Sequence, residues 1–143
     1  MSLSTPATLL LTKLAVPFER HTYDYDPAAE RVGLHAAEAL GELPQRVLKT
    51  LIAQVDGKPV CLVLPSDREA SMKKVAAAFG GKSAAMMPVP DAERITGYRV
   101  GGVSPFGQKR KLRTVVECAV LQEAQVYVNG GQRGLQVRLA PAD

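Results

Sequence analysis

Cys61, Cys118, His21 and His35 are the side chains with ready nucleophilic or metal-binding chemistry, and their spacing builds no site. No CxxC, HxxxH or HxE pattern occurs, so a metal centre is not expected. Both cysteines lie inside apolar runs, "VCLVLP" and "VVECAVL". Such thiols read as small buried hydrophobes in a reducing compartment, not as nucleophiles or a disulfide. The denser signal is "TGYRVGGVSPFGQKRKL" at residues 96–112, where Gly101, Gly102 and Gly107 surround Ser104 and Pro105. It is neither a phosphate loop nor a dinucleotide fingerprint, because Pro105 interrupts it and no strand-to-helix context surrounds it. Adjacent glycines can still turn backbone N–H groups toward an anion, or toward charge developing on a carbonyl oxygen. The cluster Lys109, Arg110, Lys111 and Arg113 suits a phosphate-bearing partner, in keeping with a formal net charge of +4.

Two more residues stand out. Lys49 in "RVLKTLIAQV" is flanked by Val47, Leu48, Leu51 and Ile52, so a charge emerges from a strand that is otherwise core. From the sequence alone, a solvent-facing lysine on an edge strand is the plainer account. Tyr23 in "HTYDYD" has the character of core and of a stacking surface for a base or sugar alike.

These residues must be positioned by one domain, residues 1–143, since no repeat or linker divides the chain. An apolar content of 46% against 22% charged residues is that of a folded protein. "STPATLLLTKLAVPF" predicts a helix capped by Ser4 or Thr5, with Leu10, Leu11 and Leu14 as its apolar face and an end before Pro17. "FERHTYDYD" predicts a strand, and "GLHAAEALGE" a short helix closed by Gly41. "RVLKTLIAQVDGKPVCLVLP" predicts a hairpin turning at Asp56-Gly57, the pair that tolerates positive φ. "SMKKVAAAFGG" predicts a helix capped by Ser71, "RTVVECAVL" a strand, and "AQVYVNGGQRGLQVRLA" a second hairpin turning at Asn129-Gly130. Helices interspersed with hairpins imply the α+β class, a mixed sheet with helices around it. "ATLLLTKLAV" is too short to cross a bilayer and no signal peptide precedes it, so a cytoplasmic protein with no membrane partner is expected.

The segments "HTYDYDP", "RVLKTLIAQVDGK", "KKVAAAFGGK", "TGYRVGGVSPFGQKRKL" and "YVNGGQRGL" follow one another in an order and spacing that resembles the YbaK-type Cys-tRNA(Pro) deacylases. These are free-standing relatives of the editing domain inserted in bacterial prolyl-tRNA synthetase. The resemblance implies a curved, barrel-like mixed sheet surrounded by helices. It implies hydrolysis of the ester between a wrong amino acid and the 3′-terminal ribose of tRNA, without a cofactor. Lys49 falls on the family's functional lysine, expected at the tRNA 3′ end. Tyr23 and Thr50 match pocket positions, and the segment Gly101, Gly102, Ser104, Pro105 matches the loop that lies beside the aminoacyl ester. Lys109, Arg110, Lys111 and Arg113 would then meet acceptor-stem phosphates, which position a substrate without reading its sequence. The implied partners are aminoacyl-tRNA, tRNA(Pro) in particular, and prolyl-tRNA synthetase. Cysteine-clearing members resemble substrate-assisted catalysts, in which the misacylated cysteine's own thiol attacks its ester, so no protein nucleophile is needed.

Two departures bear on specificity. Asn129 stands where cysteine-specific members usually carry serine, and Gln136 where they usually carry aspartate. Both keep hydrogen-bonding capacity, but the carboxylate charge is gone. Three functions are therefore distinguishable: a Cys-tRNA(Pro) deacylase, a deacylase shifted to a substrate such as Ala-tRNA(Pro), and a non-catalytic module binding tRNA or a synthetase on the same fold.

Overall fold

The computed structural model describes residues 4–24 and 32–141. Helix α1 (Pro6–Lys13) opens the chain and leads to strand β1 (Glu19–Thr22). Thr5 caps α1: its hydroxyl accepts from the Thr8 N–H, and the Thr8 hydroxyl accepts from the Thr5 N–H. That reciprocal pair satisfies two donors that a helix start otherwise leaves unpaired. The buried face is Ala7, Thr8 and Leu11, whereas Leu14 is 61% exposed. The expected Leu10/Leu11/Leu14 stripe is thus only partly right. The reason is polar: the Thr5 hydroxyl also donates to the Gly130 carbonyl, which rolls the threonine side of the helix inward.

Helix α2 (Val32–Leu40) ends at Gly41, which takes positive φ, as expected. The central hairpin is β2 (Leu48–Val55) and β3 (Lys58–Pro65), in register from Leu48 opposite Pro65 to Val55 opposite Lys58. Asp56 and Gly57 both adopt positive φ, as a tight hairpin turn requires. Helix α3 (Met72–Ala78) follows, capped by Ser71. The expected strand from "FERHTYDYD" is found as β1 over its first part, while Tyr25 and Asp26 lie outside the described residues.

The sequence reading passed over a 3-10 turn (Pro44–Arg46), a short strand β4 (Ala84–Met86) and helix α4 (Val89–Thr96). Strand β5 (Arg113–Val116) accounts for only half of the strand expected from "RTVVECAVL". The rest is a 3-10 turn, Cys118–Gln122, begun when the Glu117 carboxylate accepts from the Ala119 N–H. That turn overturns the expectation for Cys118, which is exposed, while Cys61 is fully buried. The final hairpin is β6 (Val126–Asn129) and β7 (Leu135–Leu139), with Asn129 opposite Gln136. Its turn is residues 130–134, not Asn129-Gly130: Asn129 closes β6, and its side chain organises the loop that follows.

The strands form two sheets, β1-β7-β6 and β4-β2-β3-β5. All pairings are antiparallel except β3 with β5, so the second sheet is mixed. Among the described residues one isolated parallel bridge, Val47 to Tyr127, joins the two. The result is the expected α+β arrangement, with two linked sheets and, among the described residues, no closed barrel. Strand alternation divides the apolar residues among three layers. Leu48, Ile52, Cys61 and Val63 meet Val126, Val128 and Val137 between the sheets. Ala53, Val55, Val60 and Leu62 meet Val75 of α3, and Val47 and Tyr127 meet Ala36 and Ala37 of α2. Among the described residues no helix is long and apolar enough to cross a membrane.

Candidate functional site

The bridge between the sheets does the positioning. Two residues beyond Val47 in β2 is Lys49, and two residues beyond Tyr127 in β6 is Asn129. A period of two returns each to the face of its bridge partner. Gln136 lies directly across from Asn129, and His21 across from Gln136 on the far side of β7. Lys49, Asn129 and Gln136 are distant in sequence and neighbours in space because of that one parallel contact.

The flank of β2 is open beside them. Strand β4 pairs with β2 only from Ala53 to Val55, and the chain then leaves, with Met87 N–H donating to the Ile52 carbonyl at 3.1 Å. A cavity of about 460 Å³ occupies the gap. Its wall includes Lys49, Thr50, Gly101, Asn129 and Gln136, over an apolar floor from Leu48, Ile52, Met87 and Ala92. Two polar atoms there are buried without a hydrogen-bond partner among the described residues, Thr50 Oγ1 and Gln136 Oε1. Such an atom carries a penalty of about 1–3 kcal/mol that a ligand supplying the missing partner would remove.

The glycine loop is built mostly by contacts within the protein. Gly97, at φ 80°, ends α4. The Glu93 carboxylate then accepts from Val100 N–H at 2.8 Å, and Gly102 N–H donates to the Arg99 carbonyl at 2.8 Å. Gly101 lines the cavity at φ 92°, and its N–H has no partner among the described residues. Gly102 instead faces the β6–β7 turn, where an added Cβ would stand 2.7 Å from the Arg133 nitrogen. Ser104 is fully buried, its hydroxyl accepting from Phe106 N–H and its carbonyl from the Gln108 amide. Gly102, Ser104 and Pro105 are not part of the cavity wall. Close packing of backbone on backbone therefore accounts for Gly102, and of Gly101, Gly102, Ser104 and Pro105, Gly101 alone lines the cavity.

Tyr98 anchors the same loop, its phenol donating to the Phe106 carbonyl at 2.6 Å. Burial pushes this phenol up to about 12, and a hydrogen bond with the Ala7 backbone opposes the shift to a lesser extent. The folded state therefore favours the neutral phenol. Its contribution is whole below the unfolded value of about 10 and is lost as pH rises toward the folded one. Urea unfolding is expected to show stability falling above about pH 10, and Tyr98→Phe is expected to lack that part of the slope.

The other expected site residues are placed elsewhere. Tyr23 is half-buried beneath α2, edge-on to His35 at 5.9 Å, and is outside the cavity wall. Lys109, Arg110, Lys111 and Arg113 are exposed, and none of them reaches the wall. Lys109 and Arg110 run beside the end of α4, donating from their backbones to Thr96 and Ile95, while Arg113 lies 5.1 Å from the Phe79 ring at the end of α3. The four are thus divided between two neighbourhoods. Neither cysteine nor histidine lines the cavity. Burial pushes the Cys61 thiol up, away from the thiolate, with weaker opposing hydrogen bonds from Gln108 and Thr114. Among the described residues no group of three or more His, Cys, Asp or Glu side chains is placed to hold a metal ion.

The reading from sequence missed the cavity rim, Asp67, Arg68 and Glu69, which follows the end of β3. The signal was present, since "PSDREA" sets three charges in the loop just after a strand, where functional residues concentrate. It also missed α4, which supplies Val89 and Ala92. Pro90 near its start, Asp91 in its first turn and Gly97 at its end are the usual boundary signs.

Comparison with known proteins adds the following. Residues 27–143 match the family model of the aminoacyl-tRNA editing domain. EbsC of Enterococcus faecalis, named as a candidate Cys-tRNA(Pro)/Cys-tRNA(Cys) deacylase, is 35% identical over 96% of this chain and 84% of its own. The Escherichia coli multifunctional Ser/Thr-tRNA deacylase ProXp-y is 25% identical over 94% of this chain and 81% of its own. A crystal structure described as a candidate trans-editing enzyme for prolyl tRNA synthetase superposes with a TM-score of 0.80 over 99% of this chain and 90% of its own. At 21% identity that likeness speaks to the fold.

Proposed function

Because the chain belongs to the aminoacyl-tRNA editing domain family, we propose that it is a trans-editing deacylase that hydrolyses the ester of a mischarged tRNA, with Cys-tRNA(Pro) as its first substrate. The observation that carries this reading is the convergence of Lys49, Thr50, Gly101, Asn129 and Gln136 on one cavity that holds no cysteine or histidine. A pocket lined without a thiol or an imidazole suits chemistry supplied by the substrate.

In that chemistry the cysteinyl thiol loses its proton and its sulfur attacks the ester carbonyl carbon. The C–S bond forms, the C–O bond breaks, and the ribose oxygen leaves with a proton. Water then opens the resulting thioester. The protein contributes orientation, together with a donor for the charged carbonyl oxygen, a role open to the Gly101 N–H. Lys49 would meet a phosphate or sugar of the tRNA 3′ end, and Gln136 Oε1 would accept from the substrate's α-ammonium. The exposed Lys109, Arg110 and Lys111 would bind acceptor-stem phosphate, with Arg113 further off on the Phe79 side. Partnership with prolyl-tRNA synthetase and a cytoplasmic location follow from the same reading.

A second reading has an observation of its own. With Thr50 Oγ1 also unpartnered, an aminoacyl group bearing a side-chain hydroxyl would complete both buried atoms, whereas alanine would complete one.

The test is release of amino acid from Cys-, Ser-, Ala- and correctly charged Pro-tRNA(Pro), with Gln136→Asp beside the wild type. Hydrolysis of a mischarged species and sparing of Pro-tRNA(Pro) is the expected result. Gln136→Asp should tighten KM by about 2–10-fold, since a carboxylate adds the attraction of an opposite charge to a bond that the amide makes with the ammonium only as a neutral acceptor. Salt-sensitive tRNA binding with no release from any species would instead identify a non-catalytic binding module.

A further inference from the structure

We propose that Asn129 is a positioning residue: it ties the Gly101 loop to the β6–β7 turn, sets where that loop stands in the cavity, and takes no part in reading the amino acid. Its kinetic consequence rests on the deacylase reading above; its structural consequence does not.

Both ends of the Asn129 amide are committed to backbone. Nδ2 donates to the Gly101 carbonyl at 3.1 Å, and Oδ1 accepts from Gly131 N–H at 2.7 Å and from Gln132 N–H at 3.2 Å. The reverse orientation of the amide would set an NH₂ group against two N–H donors and an oxygen against a carbonyl, so the partners fix the assignment. The side chain is 8% exposed, which strengthens each of these bonds relative to the same bond in water. A second tether runs parallel, from Arg133 Nε to the Val100 carbonyl at 2.9 Å. Gly102 meets the backbone of Gln132 and Arg133 at the same seam. Residues 100–102 are therefore held to residues 131–133 at three points, with Asn129 the buried side chain among them.

This geometry separates Asn129 from Gln136, its cross-strand neighbour in the same cavity. Gln136 keeps an acceptor without a partner, available to a ligand, whereas the Asn129 oxygen and one of its two amide hydrogens are engaged within the protein. A serine at this position could donate and accept at once, but from one hydroxyl on a shorter stem, in place of an amide whose two ends reach the two sides of the seam. Aspartate is the informative replacement. It keeps the acceptor toward Gly131 and Gln132 but has no donor for the Gly101 carbonyl, so it cuts the loop arm alone.

The experiment compares wild type, Asn129→Asp and Asn129→Ala by amide hydrogen exchange and by steady-state deacylation of Cys-, Ser- and Ala-tRNA(Pro). In Asn129→Asp the Val100 and Gly102 amides, bonded to the Glu93 carboxylate of α4 and to the Arg99 carbonyl, should exchange at least about tenfold faster, while Gly131 and Gln132 keep their protection. Asn129→Ala should release both sides. For catalysis, a displaced loop predicts kcat lower by about 10²-fold for every substrate, with substrate ranking preserved in both variants and KM preserved in Asn129→Ala, which adds no charge. Unchanged loop exchange, unchanged kcat, or an altered substrate ranking in Asn129→Asp overturns the proposal. If the wild type hydrolyses none of the three, the deacylase reading fails by itself, and the exchange rates alone decide the tether.

Discussion

Lys49→Ala is expected to slow hydrolysis of a mischarged tRNA by about 10²–10³-fold, the scale seen when one pre-placed charge or donor is removed from a water-poor site. Lys49 is half-buried in β2, at the cavity wall and beyond the point where β4 covers its strand. There its ammonium acts through a lower effective dielectric than on an open surface, and an approaching phosphate feels it about fourfold more strongly. The strand itself should survive, because Lys49 sits opposite Leu64 in a backbone ladder that needs no side chain. The unfolding midpoint is therefore expected to move little. Lys49→Met keeps the aliphatic stem and loses the charge, so it should be as poor as alanine. Lys49→Arg keeps charge in a wider, planar head and should fall between. Full activity in Lys49→Met would remove charge from the mechanism and take this reading of the site with it.

The largest effect on stability is expected from Gly107→Ala. Gly107 holds φ 64°, and a Cβ there would stand 2.6 Å from the Pro6 carbonyl oxygen and 3.0 Å from Ala7 nitrogen, both backbone atoms at the start of α1. Left-handed backbone costs a non-glycine residue about 1–2 kcal/mol, and an unrelieved overlap about 1–3 more. A loss of about 2–5 kcal/mol follows, or a Tm lower by roughly 5–15 °C in a chain of this size. Thermal unfolding followed by circular dichroism measures it. A drop of under about 2 °C would mean that α1 moves aside cheaply, and that the contact between the loop and the Thr5 cap is loose.

Much of the fold was legible because its signals are local. The Asp56-Gly57 turn, the Thr5 and Ser71 caps and the alternation in β6 and β7 each depend on a few adjacent residues. Errors arose where a distant partner outweighed the local pattern. Leu14 belongs to an apolar triplet yet is exposed, because Thr5 is drawn to Gly130. Cys118 lies in an apolar run yet is exposed, because Glu117 turns the chain out of β5.

The sequence by itself determined the α+β class, the central hairpin and, through its motifs, membership of an aminoacyl-tRNA editing family. It also singled out Lys49, Thr50, Gly101, Asn129 and Gln136, five residues of one cavity wall. It could not separate them from Tyr23, Gly102, Ser104 or the basic cluster, which carry motif signals of the same kind. Tertiary structure made that division. The Val47–Tyr127 bridge brings Lys49 and Asn129 to one cavity wall, and the early end of β4 leaves the flank of β2 open beside them. The meaning of Asn129 was decided the same way, since an asparagine reads alike in any sequence whether its amide faces a substrate or two strands of backbone. Only the positions of Gly101, Gly131 and Gln132, brought to it across the fold, make it a tether.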